Sequence, residues 1–322
     1  MAKTKSTAAG VPRVPFRVRR HRFAQRLVRQ RTLLLMAVFP MALLIIFRYV
    51  PIYGILIAFK KYKPSKGVWG SEWLDPFWKN YTKFFKNVNS EYIIWNTVRI
   101  GVLTLLFTYP MPILFALLLN ELKGNAYKKT VQTISYIPHF ISIVVICSML
   151  NSFGSLSGMF NDIRALFGLA RVDMNNGDTY FLREYIGSAI WQGIGWGSII
   201  YLSALSNVDT ALYDVANLDG ANRWQKIRHI AWPAILPTTT VILIMNVGNV
   251  MNSDYTKILL MQNDSNRSKL EVIGTFVYHQ GIESGQFSYS TAINLFASAI
   301  SFALVFATNM IVRRISPENS LW

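Results

Sequence analysis

Four polar side chains punctuate an otherwise apolar segment: Asn246, Asn249, Ser253 and Lys257. Their offsets of 3, 7 and 11 return them to about one face of a single helix. Polar groups in such a segment turn toward neighbouring helices or a watery cavity. Two uses fit them equally: hydrogen bonds that hold helices together, and the lining of a path for a polar solute. Amides suit sugar hydroxyls because each can donate and accept. Lys257 either meets an anionic sugar or pairs with Asp254, three residues away. Trp191, Gln192 and Trp196 offer the aromatic and amide pairing that sugars favour, and they suit packing or interfacial positions as well.

Reaction chemistry is poorly represented. The sequence holds no paired carboxylates, H-E-x-x-H run or Ser-His-Asp arrangement that would assign a catalytic residue. Histidines at 21, 139, 229 and 279 lack metal-ligand spacing, so no metal site is expected. His139, following Pro138, suits one helix-to-helix hydrogen bond. The single cysteine, Cys147, has no partner for an intrachain disulfide. Nothing matches G-x-x-x-x-G-K-[ST], whose backbone amides hold nucleotide phosphates.

The segment from Asn207 to Pro237, NVDTALYDVANLDGANRWQKIRHIAWPAILP, reads as two short amphipathic helices separated by a turn. Leu212, Val215, Ala216 and Leu218 recur at near-helical spacing, with Asp209 or Thr210 as the cap. Asp219 and Gly220 form a turn dipeptide in which glycine can take the left-handed conformation. Trp224, Ile227 and Ile230 mark the second helix, and Pro233 and Pro237 open the next apolar run. Two apolar stripes on so short a hairpin cannot bury each other. They need a groove, either among helix ends of the same chain or on a partner protein.

These pieces are positioned by elements immersed in lipid. Apolar residues make up 52% of the 322 and charged residues 15%, far below the roughly 25% charge of an average soluble domain. The apolar residues come in runs long enough to cross a hydrocarbon core of about 30 Å. Such runs must be helices, because lipid satisfies no backbone hydrogen bonds. Six spans are expected, at 33–59, 92–120, 131–153, 184–205, 233–260 and 289–312, with both termini on one side. Basic residues agree: 18 fall on the side of the termini, which is read as cytoplasmic, and 12 on the other. Proline and glycine within spans imply a packed bundle, and Gly187, Gly193, Gly195 and Gly197 allow the fourth span to approach a neighbour closely.

The net charge is +17, and the basic residues are concentrated in the N-terminal segment and the outer loops. Ten basic residues from Lys3 to Arg31 precede the first span without an acidic one. They suit a helix lying on anionic headgroups, a disordered tail or, least well, RNA binding. The outer loop at 60–91 interleaves Trp69, Trp73, Phe77, Trp78, Tyr81, Phe84 and Phe85 with lysines, as an interfacial belt or a docking surface would.

Asp214, Val215 and Ala216, then Asp219, Gly220 and Ala221, then Ile230, Trp232, Pro233 and Pro237 keep one register over 24 residues. This register resembles the Glu-Ala-Ala loop of permease subunits of bacterial ATP-binding-cassette importers. Departures are Asp for Glu at 214, Val for Ala at 215, Ile for Phe at 227 and Trp for Leu at 232. PHFIS at 138–142, WGSIIYLSALSNVD at 196–209 and the closing SLW resemble the branch that imports oligosaccharides and polysaccharides, alginate importers among it. The likeness covers nearly the whole chain after the basic tail.

The resemblance implies an all-α integral membrane protein, with six transmembrane helices and a cytoplasmic coupling helix, of the type I importer permease fold. Four parts are expected: a basic N-terminal segment at 1–32, a first span with its periplasmic loop at 33–91, a five-helix permease core at 92–313 and a C-terminal tail at 314–322. Leu212, Asp214, Val215, Ala216, Asp219, Gly220, Ala221 and Trp224 would couple the bundle to an ATPase. Asn246, Asn249, Ser253, Lys257, Trp191 and Gln192 would lie along the substrate path. Implied partners are a second, different permease, two ATPase subunits, a periplasmic solute-binding protein, an oligo- or polysaccharide and membrane lipid, with no nucleic acid. ATP and magnesium would sit on the ATPases, with no cofactor on this chain, in a bacterial inner membrane. A secondary transporter and a membrane-embedded enzyme are the alternatives. Six spans without an internal repeat speak against the first, and the missing catalytic constellation speaks against the second.

Overall fold

A computed structural model describes residues 30–122, 124–176, 178–252 and 254–321. Among them there is no strand, only an isolated antiparallel bridge between Lys60 and Trp73. The basic tail before residue 30, for which a headgroup-bound helix is one reading, lies outside the described residues.

Two compact units divide at Leu56 and Ile57. In the first, helix α1 (Arg31–Leu44) carries Pro40 internally and runs into a π turn at Ile45–Tyr49 and a 3-10 segment at Val50–Phe59. Pro51 explains the change of winding. Without an N–H it cannot continue the α-helical ladder, and the Val50 N–H bonds instead to the Ile45 carbonyl. The helix is apolar on all sides and its residues are exposed, as suits a surface solvated by acyl chains.

The second unit is a helical bundle. Helix α2 (Lys79–Phe85) belongs to the aromatic loop, where Lys60 is buried, donates from Nζ to the Val68 carbonyl at 2.9 Å and lies 4.7 Å from the Trp73 ring centre. Helices α3 (Ser90–Thr108) and α4 (Pro110–Asn120) join through a helical Tyr109 into one 31-residue rod. Pro110 is tolerated there because it occupies the first turn of α4. Then come α5 (Asn125–Tyr136), α6 (Ile143–Gly154), α7 (Met159–Leu166), α8 (Asp178–Ser206), α9 (Thr210–Leu218), α10 (Arg223–Lys226), α11 (Trp232–Gly248), α12 (Tyr255–Met261), α13 (Ile273–Tyr278) and α14 (Phe287–Ile315).

Among the described residues, five stretches are long and apolar enough to cross a membrane: Arg31–Phe59, Ser90–Asn120, Ile143–Leu166, Arg223–Gly248 and Phe287–Ile315. The sixth expected span, α8, has 29 residues and a length of about 43 Å. Its glycines, serines, tryptophans and Gln192 hold it below the same apolarity because it packs among helices.

Two expected spans prove discontinuous. The third breaks at a 3-10 turn, Ile137–Phe140, followed by extended Ile141 and Ser142, so α5 and α6 are separate pieces. Pro138 supplies no N–H there. The fifth ends at Gly248, passes through a 3-10 turn at Val250–Asn252 and restarts as α12. A neighbour covers the broken backbone of the third span, as Gln192 Nε2 donates to the Ile141 carbonyl at 3.1 Å.

Among the described residues, three buried clusters build the core. Ile113, Leu117, Tyr201, Leu205 and Ile235 pack α4, α8 and α11 at one end. Ile100, Cys147, Phe181, Tyr185, Ile258 and Val272 fill the middle of the chain's packing between α3, α6, α8 and α12. Phe84, Ile93, Met251, Phe276 and Ile293 join α2, α3, α13 and α14. Glycines set the tightest crossings. A Cβ at Gly195 would stand 2.1 Å from the Ser135 carbonyl oxygen, and one at Gly197 2.9 Å from Pro112 Cγ. Gly187 and Gly193 have nothing within 4 Å, so on the same helix they leave space instead of closing it.

Candidate functional site

The hairpin begins at Asp209, whose side chain accepts from the Ala211 N–H at 2.9 Å and caps α9. Helix α9 ends in a Schellman motif, with Ala221 N–H on the Ala216 carbonyl at 2.8 Å and Gly220 N–H on Asn217 at 3.2 Å. Gly220 has φ of +74°, the left-handed turn read from Asp219-Gly220. Asn222 then caps α10 in a reciprocal pair with Gln225, at 2.9 and 2.7 Å. The N-x-x-Q spacing is the local sequence signal for this cap, outside the stripe and turn residues expected of the hairpin.

The second arm is not a separate short helix. Residues 223–248 run as one 26-residue rod, with a π turn at Ile227–Ala231 ahead of Trp232 and Pro233. Proline in the first turn of α11 removes a donor that no carbonyl misses, and the π turn absorbs the change in winding. Trp224 is therefore rigidly continuous with the transmembrane segment.

Within the chain the hairpin is pinned at few points. Lys226 Nζ donates to Asn217 Oδ1 at 2.9 Å across the two arms, and Asn120 Nδ2 donates to Tyr213 Oη at 3.3 Å from the end of α4. Burial pushes the Tyr213 phenol above its ordinary value. Ala216, Ile227 and Ile230 are half-buried. Leu212, Val215, Leu218 and Trp224 remain 53%, 56%, 88% and 70% exposed. A cleft of about 330 Å³ opens between the arms, lined by Ala216, Asp219, Gly220 and Ala221, and Asp214 is exposed on α9. Of the two grooves open at the level of sequence, the chain's own bundle leaves these four apolar side chains uncovered.

Far from the hairpin, a cavity of about 510 Å³ lies between α3, α6, α8 and the break after α11. That is within the range of roughly 300–1,000 Å³ found for ligand pockets. Gln192, Asn246, Asn249 and Lys257 line it together. Because the helix ends at Gly248, the expected continuous stripe does not exist. The 3-10 turns, Asn249 N–H to Asn246 and Asn252 N–H to Asn249, both 3.0 Å, bring Lys257 back to the cavity by another route. Lys257 is only 3% exposed; its Nζ donates to the Tyr185 carbonyl at 2.8 Å and lies 4.7 Å from that ring's centre. The expected pair with Asp254 does not form, since that carboxylate caps α12 by accepting from the Lys257 N–H at 3.3 Å.

Ser253 lies outside the described residues. Trp191 lines a different cavity, and Trp196 stacks on His139 at 4.4 Å with ring planes 2° apart. His139 thus makes a ring stack where a helix-to-helix hydrogen bond was expected. The cavity also recruits residues that sequence spacing did not bring together: Thr104, His139, Tyr185, Asn252 and Asp254. Thr104 Oγ1 is buried without a hydrogen-bond partner. No spacing rule links these residues, because they converge from helices separated by up to 150 positions. Among the described residues no cluster of His, Cys, Asp and Glu could hold a metal.

Residues 108–319 match the family described as binding-protein-dependent transport system inner membrane component. The polygalacturonan/rhamnogalacturonan transport system permease protein YteP of Bacillus subtilis (strain 168) is 36% identical over 322 residues, covering 99% of both chains. Protein LplB of the same organism is 36% identical over 293 residues, 91% of this chain and 92% of that one. A chain in the crystal structure of a bacterial ABC transporter involved in import of the acidic polysaccharide alginate superposes with a TM-score of 0.82 at 34% identity, over 92% of this chain and 99% of the other. A chain from the bacterial alginate ABC transporter in complex with an alginate pentasaccharide-bound periplasmic protein gives a TM-score of 0.81 at 33% identity, over 91% and 97%.

Proposed function

The chain belongs to the family of inner membrane components of binding-protein-dependent transport systems, and from that premise we propose that it forms half of an ATP-driven import path for an acidic oligo- or polysaccharide. Membership makes it a transport permease and not itself an enzyme. A second, different permease completes the path, two ATPase subunits bind ATP and magnesium, and an external solute-binding protein delivers the glycan. Both termini and the hairpin face the cytoplasm.

The observation that carries this reading is the uncovered apolar side of the hairpin, Leu212, Val215, Leu218 and Trp224, on a chain of this family. A groove on one of the two ATPases receives it, and the left-handed Gly220 turn sets the angle between its arms. Trp224 and Asn246 share one rod, about 33 Å apart. When the ATPases close on ATP, a pull at Trp224 tilts the whole rod and moves the cavity wall at Asn246 and Asn249. Access then alternates as a rigid-body change between two packings.

Acidic cargo suits the cavity because Lys257 lines it beside amides that can take sugar hydroxyls, while the carboxylate in the lining, Asp254, accepts from the backbone as the cap of α12. The names of two relatives point to uronic-acid polymers, polygalacturonan and alginate. Reconstituted with its partners in vesicles, the chain is expected to support ATP-dependent uptake of acidic oligosaccharides over neutral ones of equal length. Equal uptake of both would remove the acidic assignment, and uptake without ATP would remove the reading altogether.

A further inference from the structure

A second cavity, about 700 Å³, lies between α6, α7 and the first half of α8. Its wall is apolar, built from Ile146, Leu150, Phe153 and Phe160 with methionines at its edge. At one end stand two guanidinium groups, with the Arg164 and Arg183 Cζ atoms 5.9 and 5.8 Å from the Tyr180 ring centre. Arg164 Nε and Nη2 both donate to the Ala170 carbonyl, at 3.1 and 2.9 Å, which fixes the plane of that cation. Glu184 is the carboxylate in the lining, and it sits back against α6, where a Cβ at Gly154 would come within 2.8 Å of its Oε1.

We propose that this cavity holds one phospholipid, with the phosphate on Arg164 and Arg183 and an acyl chain along the apolar wall. Three features select that occupant. Two cations at one end of an apolar cleft complement an anion carrying an apolar tail, and with the Ser188 hydroxyl already donating to the Glu184 carbonyl, the wall it leaves for the tail is that of Ile146, Leu150, Phe153 and Phe160. The depth also fits, because Tyr180 and Trp191 are eleven residues apart on α8, about 16 Å. Half of a 30 Å hydrocarbon core is about 15 Å, one leaflet.

The cavity is turned away from the polar one on the same helix. Arg183 and Gly187 each lie two positions, about 200°, from Tyr185, which lines the polar cavity. The groove further depends on a missing side chain, since nothing lies within 4 Å of a Cβ at Gly187. The site lies at the end of α8 opposite the hairpin and needs no part of the coupling scheme.

The test is native mass spectrometry of the full chain, purified with its partner subunits and titrated with a phosphatidylglycerol, a diacylglycerol of the same chains, or inorganic phosphate. One phosphatidylglycerol is expected to bind at least tenfold more tightly than the diacylglycerol, with no displacement by millimolar phosphate. Arg164→Gln with Arg183→Gln should lower that affinity at least tenfold. Gly187→Leu, which adds bulk to the groove at a position where a Cβ meets nothing within 4 Å, should do the same while transport activity is retained. Equal binding by wild type and both variants would overturn the proposal. So would displacement by inorganic phosphate, or cross-links showing that Phe160 is covered by the second permease in the assembled complex.

Discussion

Replacing Trp224 with alanine removes the largest uncovered apolar side chain of the hairpin. A tryptophan buries about 200 Å² when enclosed. At 70% exposure in the isolated chain, roughly 140 Å² is left for a partner to cover, worth about 3.5 kcal/mol at ~25 cal/mol per Å². Alanine keeps a little of that contact, so a loss of about 2–3 kcal/mol is expected, or roughly 30- to 150-fold weaker binding of the ATPase subunit. The chain itself should fold normally, because the side chain contributes little to its own packing. The assay is titration of nanodisc-embedded permease pair with purified ATPase, read by interferometry alongside substrate-stimulated ATP hydrolysis. Val88→Ala, at a still more exposed apolar side chain far along the sequence from the hairpin, is the control and should bind as wild type does. Binding of the Trp224→Ala complex within twofold of wild type would refute the reasoning, since the exposed area would then have no partner.

Gly220, at φ +74° with open space around its Cβ position, makes backbone strain the whole cost of substitution. Gly220→Ala should weaken the hairpin by about 1–2 kcal/mol and Gly220→Val by more, abolishing uptake in a cell-based assay while membrane insertion is unchanged. Gly195→Ala drives a methyl into the Ser135 carbonyl, so α5 and α8 must separate; a cost of about 1–3 kcal/mol should appear as a lowered thermal midpoint in detergent. Lys257→Met removes the cation of the polar cavity at nearly constant volume. Uptake of an acidic oligosaccharide should show KM raised about ten- to hundredfold, from a lost charge-assisted hydrogen bond of about 1.5–3 kcal/mol, with neutral cargo unaffected.

Much of the hairpin was legible because its structure is local. Asp209 as cap, Asp219-Gly220 as left-handed turn and the stripe from Leu212 to Leu218 each depend on residues a few positions apart. The fusion of Trp224 with the following span was not read, because prolines at 233 and 237 suggest a boundary. A proline in the first turn of a helix carries no such cost, and a π turn accommodates the rest. Six hydrophobic runs were visible in composition, yet the breaks after Tyr136 and Gly248 were not placed, since hydropathy is blind to winding.

The polar cavity was half legible. Asn246, Asn249 and Lys257 do meet there, although for a reason different from the one their spacing suggested. Gln192 joins them, while Trp191, its immediate neighbour, turns about 100° away along α8 and faces the apolar cavity. Thr104, His139 and Asp254 arrive by tertiary packing alone, which no periodicity in one sequence encodes. The glycines of α8 carried mixed information: Gly195 and Gly197 close helix crossings, whereas Gly187 and Gly193 open cavities.

The native cysteine is buried, so Leu218→Cys, at an 88% exposed site, gives one reactive thiol at the tip of α9. Site-specific photo-cross-linking from that thiol in the assembled complex asks directly what covers the hairpin. Attachment to the ATPase subunit, with protection of the thiol from maleimide that depends on the ATPase being present, is the predicted result. A thiol that reacts at the same rate with and without the ATPase, and cross-links only within its own chain, would contradict it.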